Sequence, residues 1–115
     1  MVIWTPAVPE SNLILSWFKS ENFLIYKRAE LLGELSKNSI CLAVAGTHGK
    51  TTTSSILSHL LAYCNMPITA FLGGVTENYN SNLIYKGDKI MVIEADEFDR
   101  SFLHLSPKIA CITSM

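Results

Sequence analysis

Apolar and polar positions divide this chain into short alternating pieces. Val2-Ile3-Trp4-Thr5 has the character of a strand end, and Pro6 to Pro9 reads as a turn. Ser11 or Asn12 can cap a helix that carries Leu13, Ile14, Trp17 and Phe18 on one face. Phe23 to Tyr26 is a second short strand, Arg28 to Leu35 a second helix, and Ser36-Lys37-Asn38 a link. Ile40-Cys41-Leu42-Ala43-Val44 is an apolar run of strand type. Between Thr53 and Cys64 the period changes: Ile56, Leu57, Leu60, Leu61 and Cys64 recur at helical spacing. Asn65-Met66-Pro67 stops that helix, and Ile68 to Leu72 is a further strand. Gly73-Gly74 opens a polar loop, Thr76 to Asn82, that ends near Leu83-Ile84-Tyr85. Lys86-Gly87-Asp88 is turn chemistry, Ile90 to Ile93 a buried strand, and Ile109 to Ile112 the last strand. Strands alternating with helices predict an α/β fold, a parallel sheet in a three-layer arrangement.

The segments after Lys37 start afresh with a strand and a glycine-bearing turn, whereas nothing before them carries site chemistry. Two parts are therefore expected, residues 1–37 and residues 38–115. Apolar residues make up 49% of the chain and the net charge is −1, so the basic stripe that nucleic acid demands is missing. No apolar run approaches the roughly 20 residues of a membrane span, and the first residues do not read as a secretory signal. Cys41, Cys64 and Cys111 are odd in number and widely spaced within apolar segments. They read as buried thiols in a reducing, cytoplasmic setting rather than as a disulfide or zinc framework.

The chemistry is concentrated in Gly46-Thr47-His48-Gly49-Lys50-Thr51-Thr52, which stands between the strand ending at Val44 and the periodic helix. Strand, glycine turn, Lys-Thr and helix together form the geometry of a phosphate-binding loop (P-loop). Gly46 and Gly49 let the backbone approach an anion with no Cβ in the way. The amides of the first helical turn and the positive end of the helix dipole then face phosphate oxygens. Lys50 is placed to reach β/γ-phosphates and the Thr51 hydroxyl to ligate Mg²⁺, so the expected ligand is ATP. The general pattern has a glycine where this chain has Val44; what stands here is the tighter form G-T-x-G-K-T-T.

A second concentration, Glu94-Ala95-Asp96-Glu97-Phe98-Asp99-Arg100, follows directly on the strand ending at Ile93. Ligands of open parallel sheets gather at the carboxyl ends of strands, the edge that also carries the phosphate loop. Glu94, the first acid after the strand, is best placed to share Mg²⁺ with Thr51, and Asp96 is next on the same side. Asp99 reads better as a capping or surface acid. His48 sits inside the loop, where its ring can face a substrate. His59, on the loop helix, reads as structural and His104 as a partly buried histidine in apolar company, while Trp4 and Trp17 read as packing.

Taken together, Ala45 to Thr53 (AGTHGKTTT), Phe71-Leu72-Gly73-Gly74, Glu94 to Asp99 (EADEFD) and Ser101 to Leu105 (SFLHL) resemble the Mur ligases, the ATP-dependent amide-forming enzymes of peptidoglycan synthesis. Thr5-Pro6-Ala7-Val8-Pro9 and Lys27-Arg28-Ala29-Glu30 are similar to the end of that family's first domain, so the resemblance spans nearly the whole chain. It implies that residues 1–37 are the tail of a Rossmann-like, UDP-binding domain and that residues 38–115 are the first part of the ATP-binding central domain. It also implies phosphoryl transfer from ATP to a substrate carboxylate, then displacement of phosphate from the acyl phosphate by an amine. The implied substrates are UDP-N-acetylmuramate and L-alanine; the muropeptide-recycling branch, which shares the loop and a similar acidic run, is the alternative within the family. Lys50 and Glu94 are implied as catalytic, Gly46 to Thr52 as ATP-binding, Thr51 and Glu94 as holding Mg²⁺, and His48, Gly73 and Gly74 as facing the UDP-sugar.

The resemblance further implies a glycine-rich uridine-binding turn before residue 1, a metal-site histidine beyond Thr113-Ser114, and a closing third domain. The expectation is an internal piece of a ligase, inactive by itself. A stand-alone or remnant nucleotide-binding module is the reading from a different class.

Overall fold

The computed structural model describes residues 1–95 and 101–114, with strands β1 (Val2–Trp4), β2 (Ile25–Lys27), β3 (Ile40–Ala45), β4 (Ile68–Thr76), β5 (Ser81–Tyr85), β6 (Ile90–Glu94) and β7 (Ile109–Ile112). The helices are α1 (Leu13–Ser20), α2 (Arg28–Lys37) and α3 (Lys50–Tyr63), and a 3-10 turn covers Ser101–His104. β1 and β2 form a small parallel pair of their own. The main sheet has the order β5-β4-β6-β3-β7. Four of its strands are parallel, while β5 runs antiparallel to β4 at one edge. The sheet is thus mixed rather than purely parallel.

That antiparallel edge comes from the segment expected to be a loop. Gly73 and Gly74 do not leave the sheet; β4 continues through them to Thr76, and the chain returns as β5 after a short turn. The register between β4 and β5 shifts between Phe71 and Thr76, where the glycines lie. Glycine weakens a strand and commonly marks an irregularity in one, which is how a break was expected where a distorted strand stands.

Strand alternation distributes the core between two faces. Ile68, Ala70 and Leu72 of β4 join Ile90 and Val92 of β6 in one cluster, against Ala62, Leu57 and Leu61 of α3. Cys41 and Ala43 of β3 join Met91 and Ile93 of β6 on the opposite face, with Leu32 of α2 and Leu105. Helix, sheet and helix make the three expected layers. In α3 the buried positions are Ser54, Ser58 and Ala62, while Ile56 and Leu60 are exposed. The apolar periodicity therefore marked the flank of the buried face. Small residues at a spacing of four let this helix lie close on the sheet.

Two expectations about side chains need correcting. Only Cys41 is buried, and burial pushes its thiol up; Cys64 and Cys111 are exposed. Cys64 caps the end of α3 and Cys111 lies on β7, which among the described residues pairs with β3 on one side and stands at the sheet edge. His104 is exposed, because its turn presents backbone, not the ring, to α2: a Cβ on Gly33 would meet the His104 carbonyl oxygen. Asn12 caps α1, accepting from the Ile14 and Leu15 amides. Trp17 packs edge-on against Phe18 and also meets Phe23, although it keeps half its surface in solvent.

The Ser58 hydroxyl is buried with no hydrogen-bond partner among the described residues. An unsatisfied buried hydroxyl costs about 1–3 kcal/mol, and alanine is the better helix former. Ser58→Ala should therefore stabilise the fold by about 1 kcal/mol, read as a higher urea midpoint at unchanged slope. A clear loss of stability would mean that the hydroxyl has a partner.

Candidate functional site

Period-two alternation places the key carboxylate. Ile90 and Val92 face α3, so Glu94, two residues further along β6, faces α3 as well. At that level α3 has just begun, and it presents Thr51 and Ser54. Oε2 of Glu94 accepts from the Thr51 hydroxyl at 3.0 Å. Oε1 accepts from the Ser54 hydroxyl at 2.7 Å and from the Gly73 backbone N–H at 2.8 Å. The pairing of β4 with β6 ends at Phe71 and Ile93, and beyond it the Glu94 side chain takes up the Gly73 amide. Helix, β4 and β6 thus converge on one carboxylate.

The loop that precedes α3 depends on glycine at both ends. Gly46 has φ +126° and Gly49, the N-cap of α3, has φ +81°, both in the region that favours glycine. A Cβ on Gly46 would also press on Thr113 and on the Ser114 backbone. As N-cap, Gly49 offers no side chain to the amides of the first helical turn, which suits an anion site. Lys50 folds back so that its ammonium donates to the Gly46 carbonyl.

The other flank of the loop is held by the end of β7. The Thr47 N–H donates to the Ser114 carbonyl at 3.1 Å, and the His48 N–H to the Ser114 hydroxyl at 3.0 Å. The Thr113 hydroxyl donates to the His48 carbonyl. His48 is exposed, and its backbone is tied toward β7, whereas Gly73 lies on the β4 side with Glu94. Gly74 lies near Thr51, whose methyl group would stand 3.7 Å from an added Cβ. Thr52 is exposed on the first turn of α3. Asp96 and Asp99 lie outside the described residues. His59, expected to be structural, bonds to the Tyr79 hydroxyl at 3.1 Å.

The donor set suits a hard divalent cation. Thr51 and Glu94 offer a hydroxyl and a carboxylate oxygen, and phosphate and water can complete the shell. A Cβ at Gly73 would stand 2.5 Å from Glu94 Oε2 and 3.0 Å from the Thr51 hydroxyl, so this glycine keeps open the space beside the two oxygens. Among the described residues no cluster of three or more histidine, cysteine or acidic side chains could hold a metal unaided. A cleft of about 540 Å³ runs from Lys50, Gly73 and Glu94 past Phe71 to Arg28 and Ile3.

Sequence reasoning missed Ser54, Thr113 and Ser114. Ser54 stands one helical turn beyond Thr51, where a small polar residue on a buried helix face was the available signal. Thr113 and Ser114 follow a strand that runs parallel to the one feeding the loop, which places them beside it.

No protein-family profile matches the chain. Over all 115 residues it is 60% identical to the UDP-N-acetylmuramate–L-alanine ligase of Flavobacterium psychrophilum, and over 99% of its length it is 55% identical to that of Parabacteroides distasonis. The crystal structure of UDP-N-acetylmuramate–alanine ligase from Thermotoga maritima superposes on 98% of the chain with a TM-score of 0.87 and 33% identity. The chain belongs to the Mur ligase family. Another family member, the UDP-N-acetylmuramate:L-alanyl-γ-D-glutamyl-meso-diaminopimelate ligase of Neisseria, matches 97% of the chain with a TM-score of 0.80 and 26% identity. The chain spans about a quarter of the length of the curated relatives, 26% of the Flavobacterium protein, and 27% and 40% of the Thermotoga and Neisseria chains.

The two glycine types in the site differ in what they tolerate. Gly46→Ala should cost about 1–3 kcal/mol, the range for a strained backbone position, because its φ and its neighbours both oppose a side chain. Gly74→Ala, which meets only a methyl group at ordinary contact distance, should cost far less. Thermal unfolding of the two variants checks the order; equal losses would contradict the loop geometry.

Proposed function

We propose that this chain is the phosphate-handling part of a ligase that joins L-alanine to UDP-N-acetylmuramate in peptidoglycan synthesis, with ATP and Mg²⁺ as cofactors. Residues 1–37 would be the end of its UDP-binding domain and residues 38–115 the first part of its ATP-binding domain. The observation that carries this reading is the meeting of the Thr51 hydroxyl and the Glu94 carboxylate at the first turn of the loop helix, 3.0 Å apart. Identity of 60% to an alanine-adding ligase along the whole chain supports the alanine branch. The muropeptide-recycling branch is supported by fold at 26% identity.

In this reading the amides of α3's first turn and Lys50 bind the phosphates, with Gly46 to Thr52 forming the cradle. Thr51 and Glu94 would hold Mg²⁺, which when bound neutralises phosphate charge during transfer. The cleft bounded by Lys50, Gly73, Glu94 and Arg28 would admit the substrate acid, with Gly73 on its wall; Gly74 and His48 would meet the sugar from outside that lining. A substrate carboxylate oxygen then bonds to the γ-phosphorus as its bond to ADP breaks. The amine of alanine next attacks the acyl carbon, phosphate leaves, and the amine gives up a proton. Lys50 contributes positioning and charge, the main currency of phosphoryl transfer. Among the described residues no helix is long and apolar enough to cross a membrane. Nucleotide-linked substrates suit the cytoplasm.

Calorimetric titration with Mg·ATP tests the loop and the metal carboxylate together. Lys50→Ala should weaken nucleotide binding strongly while circular dichroism stays unchanged, since alanine preserves the helix. Glu94→Gln should weaken Mg²⁺-dependent binding more than metal-free binding. Equal binding by Lys50→Ala, or equal effects of Glu94→Gln with and without metal, would overturn the assignments.

Ligation requires carboxylate, γ-phosphate and amine held near contact distance. The 115-residue polypeptide supplies only part of that enclosure. Incubated with ATP, Mg²⁺, UDP-N-acetylmuramate and L-alanine, it should give no UDP-N-acetylmuramoyl-alanine by mass spectrometry. Product that vanishes with Lys50→Ala would make it a minimal enzyme.

A further inference from the structure

Glu94 has two carboxylate oxygens in unlike surroundings. Oε1 is shared by two donors that lie on different elements, the Ser54 hydroxyl on α3 at 2.7 Å and the Gly73 amide on β4 at 2.8 Å. Ser54 is fully buried, so its hydroxyl does not exchange this bond for water. Oε2 meets the Thr51 hydroxyl, and Thr51 is exposed at the start of the helix. The open space beside Oε2 and the Thr51 hydroxyl is the space left by the missing Cβ of Gly73.

We propose that Ser54 is a positioning residue: with the Gly73 amide it occupies Oε1, so that Glu94 meets its cation through Oε2 alone and the site prefers Mg²⁺ to Ca²⁺. This rests on the reading of Glu94 as a metal ligand. Mg²⁺ demands near-octahedral geometry at about 2.0–2.1 Å, whereas Ca²⁺ takes longer bonds in a flexible shell and readily accepts both oxygens of one carboxylate. A carboxylate with one oxygen held by two donors cannot rotate to offer both. It is a one-oxygen ligand by construction, and that form suits the smaller ion.

The arrangement does not depend on Glu94 to satisfy Ser54. The Ser54 hydroxyl also lies 3.1 Å from the Thr51 carbonyl, an acceptor within its own helix. Its proton goes to the shorter bond when the carboxylate is present, and the carbonyl accepts it otherwise. Removing the Glu94 charge therefore leaves no orphaned hydroxyl, so the two residues can be tested separately.

The test is titration calorimetry of ATP with the 115-residue chain, carried out with Mg²⁺ and with Ca²⁺ as the only divalent ion. Wild type should bind more tightly with Mg²⁺. Ser54→Ala deletes one Oε1 donor and frees the carboxylate to turn, so the Mg²⁺/Ca²⁺ affinity ratio should fall about tenfold, the size expected for one charge-assisted hydrogen bond. Its melting curve should stay close to that of wild type. Ser54→Thr keeps the hydroxyl and should keep the ratio. A merely structural role would weaken both ions alike and leave the ratio unmoved. If Glu94→Gln abolishes metal dependence but Ser54→Ala leaves the ratio intact, the proposal fails while Glu94 stands as the ligand. Metal dependence that survives Glu94→Gln, or its absence in wild type, overturns that reading and the proposal with it.

Discussion

A carboxylate at the carboxyl end of β6 is the point on which the site is built. Glu94 draws donors from Thr51, Ser54 and Gly73, so α3, β4 and β6 are fixed relative to one another at the edge where a ligand would bind. A partly buried charge is costly unless hydrogen bonds replace its water. Three donors meet that requirement here. The geometry follows from strand parity: a shift of one residue in β6 would turn Glu94 to the opposite face, the one that Cys41 and Ala43 of β3 occupy. Packing of Ile90 and Val92 against α3 therefore sets the chemistry as well as the core.

The glycine-bearing loop before α3 is held from two sides. Lys50 and Thr51 begin α3 on the β6 side, while the end of β7 grips the loop on the other through Thr113 and Ser114. Two loop amides, those of Thr47 and His48, already have oxygen partners on Ser114. The loop is thus shaped by its own neighbours before any ligand arrives. Gly46 belongs to that design, because its close contact with Ser114 excludes a side chain.

Much of this was legible in the sequence, for physical reasons that differ by element. The loop and its helix were readable because glycines, Lys-Thr and a change of hydrophobic period coincide within a few residues. That Glu94 meets Thr51 was readable because Glu94 is the first acid after a run of four apolar strand residues, at the sheet edge that carries the loop. The buried face of α3 was not, because serine and alanine carry it while leucines and an isoleucine flank it. The course of the chain past Gly73-Gly74 was misread for the opposite reason: two glycines signal a break, yet here a strand continues and one of them supplies an amide to Glu94. Buried cysteines were expected from apolar neighbours in sequence, but exposure is decided by what covers a strand, and β7 lies at the sheet edge. Ser54 was invisible because its hydrogen-bond partner stands 40 positions away.

Gly73 joins two demands that would otherwise conflict. Its amide must come close to hold Oε1 of Glu94, and the same closeness would drive any Cβ into Oε2 and the Thr51 hydroxyl. Only a residue without a side chain can give the first and spare the second. The register shift between β4 and β5 falls in the same stretch, between Phe71 and Thr76. Gly73 thus contacts Glu94 just past the end of the pairing with β6. It also puts the backbone that contacts Glu94 on the wall of the cleft reaching toward Arg28, so one short segment borders both the candidate cation site and the space for a substrate.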